Sequence, residues 1–233
     1  MKRSFFILAV LLLLGSSASA IGGIDLSIGP KAGYLSQKLS YQKADIKAGF
    51  LNSFTLGAFA RVEIGNLYVQ PELLWFNSSE AFNMNIDTAN SLGLPSSFTL
   101  TRKAMNIQVP VLVGYKINLS ESLAVRGQVG PTANFIYPSK TLVEKSVPSR
   151  NDDIPDQLKD TEFDTKTIAW GFQIGAGIDL LRFTLDINYN MGITKLFGEN
   201  VINNSQVGQY IDTKNLEKTR RNLFMVTIGY KLL

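Results

Sequence analysis

The chain has 233 residues with a formal net charge of +4, no cysteine and no histidine. Lacking cysteine, it has no disulfides, thiolate metal sites or cysteine nucleophile; lacking histidine, it has no Ser-His or Asp-His hydrolase centre and no ordinary zinc site. Removing Lys2 and Arg3 with a leader takes the charge to +2, a near balance that gives no reason to expect a nucleic-acid partner.

Met1 to Ala20 reads as that leader. Lys2 and Arg3 start it, Phe5 to Leu14 form its apolar run, and Ala18-Ser19-Ala20 supplies a small-residue cleavage site, so the mature chain is expected from Ile21. The apolar run is too short to cross a hydrocarbon layer of about 30 Å as a helix. Residues 21–233 read as one β-domain.

Side chains of a strand point to opposite faces in turn, and eight stretches split into two sets, the fourth to seventh most cleanly. In the first, Ile24, Leu26, Ile28, Ala32 and Tyr34 alternate with Asp25, Ser27, Gly29, Lys31 and Gly33. The second sets Phe54, Leu56, Ala58, Ala60, Val62 and Ile64 against Thr55, Gly57, Arg61 and Glu63. The third sets Leu67, Val69, Leu73 and Trp75 against Tyr68, Gln70 and Glu72. In the fourth, Met105 to Tyr115 oppose Asn106, Gln108, Pro110, Leu112, Gly114 and Lys116. The fifth pairs Val125, Val129, Ala133, Phe135 and Tyr137 with Arg126, Gln128, Gly130, Thr132 and Asn134. Ile168 to Leu180 carry Gly171, Gln173, Gly175, Gly177 and Asp179 on the second face; Phe183 to Met191 carry Thr184, Asp186, Asn188 and Asn190. Phe224, Val226, Ile228, Tyr230 and Leu232 complete the series.

The connections alternate in length. Gly65-Asn66, Asn118 to Ser122 and Leu181-Arg182 are short turns. Long segments lie at about 37–49, 77–100, 138–165 and 195–221. This predicts an all-β, eight-stranded antiparallel up-and-down transmembrane barrel in a bacterial outer membrane, with four long extracellular loops, three short periplasmic turns and both termini periplasmic. Hydrocarbon offers no hydrogen-bond partner, so a membrane sheet must close on itself. Tyr34, Trp75, Tyr137 and Trp170 toward the loops, with Tyr115, Phe183 and Tyr230 toward the turns, read as two membrane-interface girdles. A soluble lipocalin-type barrel is the alternative, but it would turn its apolar set inward.

Leu67-Tyr68-Val69-Gln70-Pro71-Glu72-Leu73-Leu74-Trp75 and Asn106-Ile107-Gln108-Val109-Pro110-Val111-Leu112-Val113-Gly114-Tyr115 resemble the PorT-like outer-membrane β-barrel family, whose signature is a "QPEL" strand followed by an "xxxPVLxxY" strand. Gly127-Gln128-Val129-Gly130-Pro131 and Gly175 to Asp179 are similar to its fifth and sixth strands. The family positions are Gln70, Pro71, Glu72, Pro110, Gly130 and Pro131; proline inside a strand removes a ladder donor, which makes the Pro71 and Pro110 pair specific. The resemblance implies a small outer-membrane barrel, with name-giving relatives linked to a secretion system, and brings no catalytic residues. The chain ends Gly229-Tyr230-Lys231-Leu232-Leu233, without the final aromatic that many barrels present to the outer-membrane assembly machinery.

The inward set holds Lys31, Arg61, Lys116 and Arg126 with Glu63, Glu72, Asp179 and Asp186. A barrel of eight strands has room for little but its own side chains, and buried charge must be paired, so these are expected to form a salt-bridged plug centred on Arg61, Glu72 and Arg126. The other reading is a polar channel, a small porin-like pore. Serine–lysine or carboxylate catalysis has no positive signal, and the expectation is a non-enzymatic monomer without cofactor or metal, in a structural or interaction role. The third long segment is acidic, with Glu144, Asp152, Asp153, Asp156, Asp160, Glu162 and Asp164, but lacks EF-hand spacing. Lys218, Arg220 and Arg221, read as facing outward, are open to two readings of equal weight: contact with anionic lipopolysaccharide headgroups, or ordinary surface charge. The expected partners are therefore outer-membrane lipid and lipopolysaccharide, the assembly machinery, and a secretion or envelope protein.

Overall fold

The computed structural model describes residues 24–40, 51–85, 97–145, 163–165, 167–195, 197–202 and 220–233. The expected leader, most of the acidic segment and Lys218 lie outside the described residues. Among the described residues are ten strands: β1 (Ile24–Ser40), β2 (Leu51–Ile64), β3 (Leu67–Asn85), β4 (Ser97–Asn118), β5 (Leu123–Lys145), β6 (Phe163–Thr165), β7 (Ile168–Leu180), β8 (Phe183–Gly192), β9 (Phe197–Ile202) and β10 (Arg220–Tyr230).

Eight of them close a barrel in the order β1-β10-β8-β7-β5-β4-β3-β2, every pairing antiparallel. β6 and β9 pair separately as a small ribbon joining the third and fourth long segments. The sequence does not reveal that ribbon, because three and six residues are too few to display a two-residue period. The three short turns fall where the sequence puts them. Gly65 takes the positive φ of 61° that a two-residue hairpin demands, and Leu181 holds 55° in the equivalent place.

β3, β4 and β5 run to 19, 22 and 23 residues, well into segments read as loop. The alternation against apolar surroundings stops near Trp75, Met105 and Tyr137, but the backbone ladder continues beyond, from Asn77↔Met105 to Asn85↔Ser97 between β3 and β4. Hydropathy reports where the wall leaves the membrane, whereas hydrogen bonding decides where the strand ends. Proline marks the irregularities. The register skips a residue at Pro138, where Ala104↔Pro138 is followed by Lys103↔Lys140. Pairing also lapses, without a change of register, beside Pro71 between β2 and β3, beside Pro110 between β3 and β4, and beside Pro131 between β4 and β5. A residue with no N–H cannot complete the ladder at those points.

The barrel is inverted relative to a soluble protein. Leu56, Val69, Val113, Ile174, Ile187 and Ile228 stand exposed on the outer wall, while Arg61, Gln70, Asn106, Gln108, Gln173 and Asp186 are wholly buried within. The interior is not uniformly polar, however. Leu35, Leu74, Phe76, Leu223 and Met225 form a buried apolar cluster at the loop-side end, and Phe59, Leu112 and Ile136 are also enclosed.

Candidate functional site

All eight charged positions singled out from the sequence point into the lumen; Lys116 is half-buried and the others are buried. Strand parity puts them there, and the antiparallel register decides who meets whom. Asp179 on β7 is the hub. Arg61 Nη1 reaches its Oδ2 at 2.7 Å, Arg126 Nε its Oδ1 at 2.9 Å, and Lys231 Nζ its Oδ2 at 2.7 Å. Arg126 Nη2 then contacts Asp186 at 2.7 Å and donates to Thr184 Oγ1 at 2.5 Å. Lys31 Nζ bridges Asp186 at 2.8 Å and Glu72 Oε1 at 2.5 Å. Gln70 closes the circuit, accepting from Arg61 Nε at 2.5 Å and donating to Glu72 Oε1 at 2.5 Å. Glu63 pairs with Lys116 and lies 3.4 Å from Arg61.

The result is a closed ring, Arg61–Asp179–Arg126–Asp186–Lys31–Glu72–Gln70–Arg61, drawn from β1, β2, β3, β5, β7 and β8. Aromatic rings pack between its cations. Tyr68 lies 5.2 Å from the Arg61 guanidinium and 5.7 Å from that of Arg126, and Phe59 lies 5.8 Å from Lys31 Nζ and 5.6 Å from the Arg61 guanidinium. Such contacts help compensate cations taken out of bulk solvent. Gly177 makes the ring geometrically possible: a Cβ there would sit 2.2 Å from Asp186 Oδ1 and 2.5 Å from Arg126 Nη2.

Of the expected centre, no two members pair directly: Gln70 stands between Arg61 and Glu72, and Asp179 and Tyr68 between Arg61 and Arg126. Lys231 joins the network without having been expected there. Its signal lies in the sequence, since Lys231 continues the inward parity of Thr227 and Gly229, and the tail stays in strand-like pairing through Lys231 N to Arg182 O and Leu232 N to Ile28 O.

Toward the loops the lumen lining turns largely to amides and hydroxyls. Gln128 Nε2 donates to Asn188 Oδ1 at 2.8 Å, Asn190 Nδ2 to Thr132 Oγ1 at 2.6 Å, and Gln108 Nε2 to Gln173 Oε1 at 3.4 Å. This amide wall on β4, β5, β7 and β8 faces the apolar cluster on β1, β3 and β10. Arg221 corrects an expectation: it is buried inside the mouth, with Nη1 donating to Asn106 Oδ1 at 2.7 Å and its guanidinium 5.8 Å from the Phe76 ring. Its parity is that of Leu223 and Met225, so of the adjacent pair only Arg220 faces out.

An outer membrane protein beta-barrel domain model matches residues 16–198. The chain belongs to that family. It is an outer-membrane β-barrel, and its outward wall is therefore the lipid-facing one. No curated protein sequence matches the chain. Among solved structures, Neisserial surface protein A is similar at 10% identity and a TM-score of 0.44, covering 91% of this chain and 100% of that one. Ail, the attachment invasion locus protein of Yersinia pestis, solved in complex with the heparin analogue sucrose octasulfate, is similar at 12% identity and a TM-score of 0.37, covering 89% of this chain and 99% of that one.

On this outer-membrane barrel Tyr34, Trp75, Tyr115, Tyr137, Trp170 and Phe183 are exposed on the lipid side, and Tyr230 is half-buried against Phe183, ring centroids 5.2 Å apart. Tyr115 also accepts a hydrogen bond from Asn66 Nδ2 at 3.0 Å, tying the turn-side girdle to the first hairpin. The family-motif residues divide by face. Gln70, Glu72, Pro110 and Gly130 point inward, and Pro71 and Pro131 outward.

Proposed function

We propose that this is a non-enzymatic, monomeric outer-membrane protein with a plugged lumen, whose long loops engage another component of the cell envelope. In this reading the short turns and both termini are periplasmic and the long loops extracellular. The observation that carries it is the ring of ion pairs and amides across the lumen. Six strands contribute to it, its side chains are buried, and every carboxylate in it meets at least one cation. Opening a conductive path would uncouple several buried pairs together, each leaving a charge without its partner. The PorT-like signature on β3 and β4 supports a role as accessory to protein secretion.

A small pore is the second reading. It draws support from buried polar atoms without partners, among them Gln108 Oε1, Gln173 Nε2, Glu72 Oε2 and Arg61 Nη2, which water could solvate. Planar-bilayer recording of the purified full-length protein separates the two. Silence is the expected result, whereas steady conductance whose ion selectivity changes in Glu72→Lys would overturn the plug. A heat-dependent mobility shift of the envelope fraction on a denaturing gel is expected alongside, with exposed loops labelled from outside intact cells.

A further inference from the structure

The outer wall carries a cleft of about 600 Å³ where β1 meets β10, lined among others by Ala32, Tyr34, Phe54, Leu56, Leu185 and Ile228. Its lining is almost entirely apolar. The cause is local: outward positions on β1 and β2 hold Pro30, Ala32, Ala58 and Ala60, while β8 and β10 flank them with Leu185, Ile187 and Ile228. Tyr34 and Phe54, packed edge to face at 5.9 Å, stand at its loop-side end. Further up the same face of β10 come Phe224, Asn222 and then the exposed Arg220. Tyr230 lies at the turn side, and ten residues at about 3.3 Å each along a strand tilted roughly 40° rise about 25 Å, so Arg220 falls at the loop-side edge of the apolar band.

We propose that the cleft seats one acyl chain of a phosphorylated glycolipid of the loop-side leaflet, with Arg220 meeting its phosphate. The cleft is continuous with the lipid-facing wall, so hydrocarbon is the medium that fills it. Even a shallow, open hollow holds a chain against more wall than a flat belt does, and the cation above it favours an anionic headgroup. The choice of glycolipid over phospholipid rests on the orientation proposed above, which sets the loop side outermost.

The test is native mass spectrometry of the detergent-purified full-length protein, titrated with lipid A against phosphatidylglycerol as competitor. Retention of one lipid A in preference to phosphatidylglycerol is expected. Arg220→Ala should lower it about fivefold, the share of one basic residue at a membrane surface. Ala32→Phe, which fills the cleft, should abolish it, while Ala133→Phe on β5, across the barrel from β1, should leave it unchanged. A heat-shift gel verifies that each variant is folded, and Arg220→Ala, being superficial, carries the test if Ala32→Phe is not. Equal retention of the two lipids, retention indifferent to both substitutions, or a protein dimer lost in Ala32→Phe would each overturn the proposal. Labelling of Arg220→Cys and Ser120→Cys in intact cells reads the orientation separately, so a failed seat and an inverted barrel give different results.

Discussion

The turn-side and loop-side halves of the lumen solve one problem by opposite means. Near the turns, Arg61, Arg126, Lys31, Asp179, Asp186 and Glu72 fill the barrel with paired charge. Near the loops, Leu35, Leu74, Phe76, Leu223 and Met225 fill it with apolar side chains set against a wall of amides. Apolar packing tolerates small shifts, because any neighbour of suitable size serves. An ion pair does not: a register slip by one residue moves every inward charge to the lipid face. The ring thus specifies register where the hairpins are short, and the apolar cluster closes the end where the strands are free to vary in length.

Asp179→Ala should have the largest effect on this contrast. It removes the carboxylate that Arg61, Arg126 and Lys231 share, and breaking a buried pair costs about 3–5 kcal/mol. Urea unfolding of the vesicle-reconstituted protein, followed by tryptophan fluorescence, should show that loss, together with conductance absent from the wild type. Phe76→Ala should cost about 3 kcal/mol as a core truncation. It should nonetheless leave the bilayer silent, since the ring remains. The two substitutions share no partner, so their effects should add to within about 0.5 kcal/mol in the double variant. A strong coupling energy would mean that the halves form one cooperative plug and that the division drawn between them is wrong.

The same contrast explains what can be read from sequence. Parity alone assigns Arg61, Glu72, Arg126 and Asp186 to the lumen, because a strand in hydrocarbon cannot turn a charge outward at mid-depth. Pairing is not legible. That Asp179 gathers Arg61, Arg126 and Lys231 depends on strands β2, β5 and the tail beyond β10, whose relative stagger is fixed by barrel shear rather than by any one strand. The apolar cluster escapes for a related reason. Leu35, Leu74 and Leu223 adjoin apolar neighbours, so alternation blurs where both faces are hydrophobic. Arg221 misleads through its basic sequence neighbours; its position in the period gives the correct side.

Gly177→Ala offers a finer probe of the ring. Inserting a methyl group between Asp186 and Arg126 forces one of them aside, with an expected cost of about 1–3 kcal/mol for overpacking. Gly127→Ala is the matched control, as a Cβ there meets nothing within 4 Å. Equal losses at both positions would point to strand flexibility rather than to the ring.

The smallest effect should have the opposite sign and fall outside both halves. Leu181 occupies a left-handed conformation at φ 55°, where Cβ crowds the following carbonyl oxygen, and its side chain is exposed with nothing to offset that strain. Gly65 holds the same place in the first hairpin without the penalty. Leu181→Gly should therefore raise stability by about 0.5–1 kcal/mol, the relief of strain exceeding the added freedom of the unfolded chain. Because the turn joins β7 to β8, which carry Asp179 and Asp186, the variant should also leave the ring intact and the bilayer silent. A destabilised Leu181→Gly barrel would show that the leucine contributes to the membrane-water boundary of the turn more than its backbone costs.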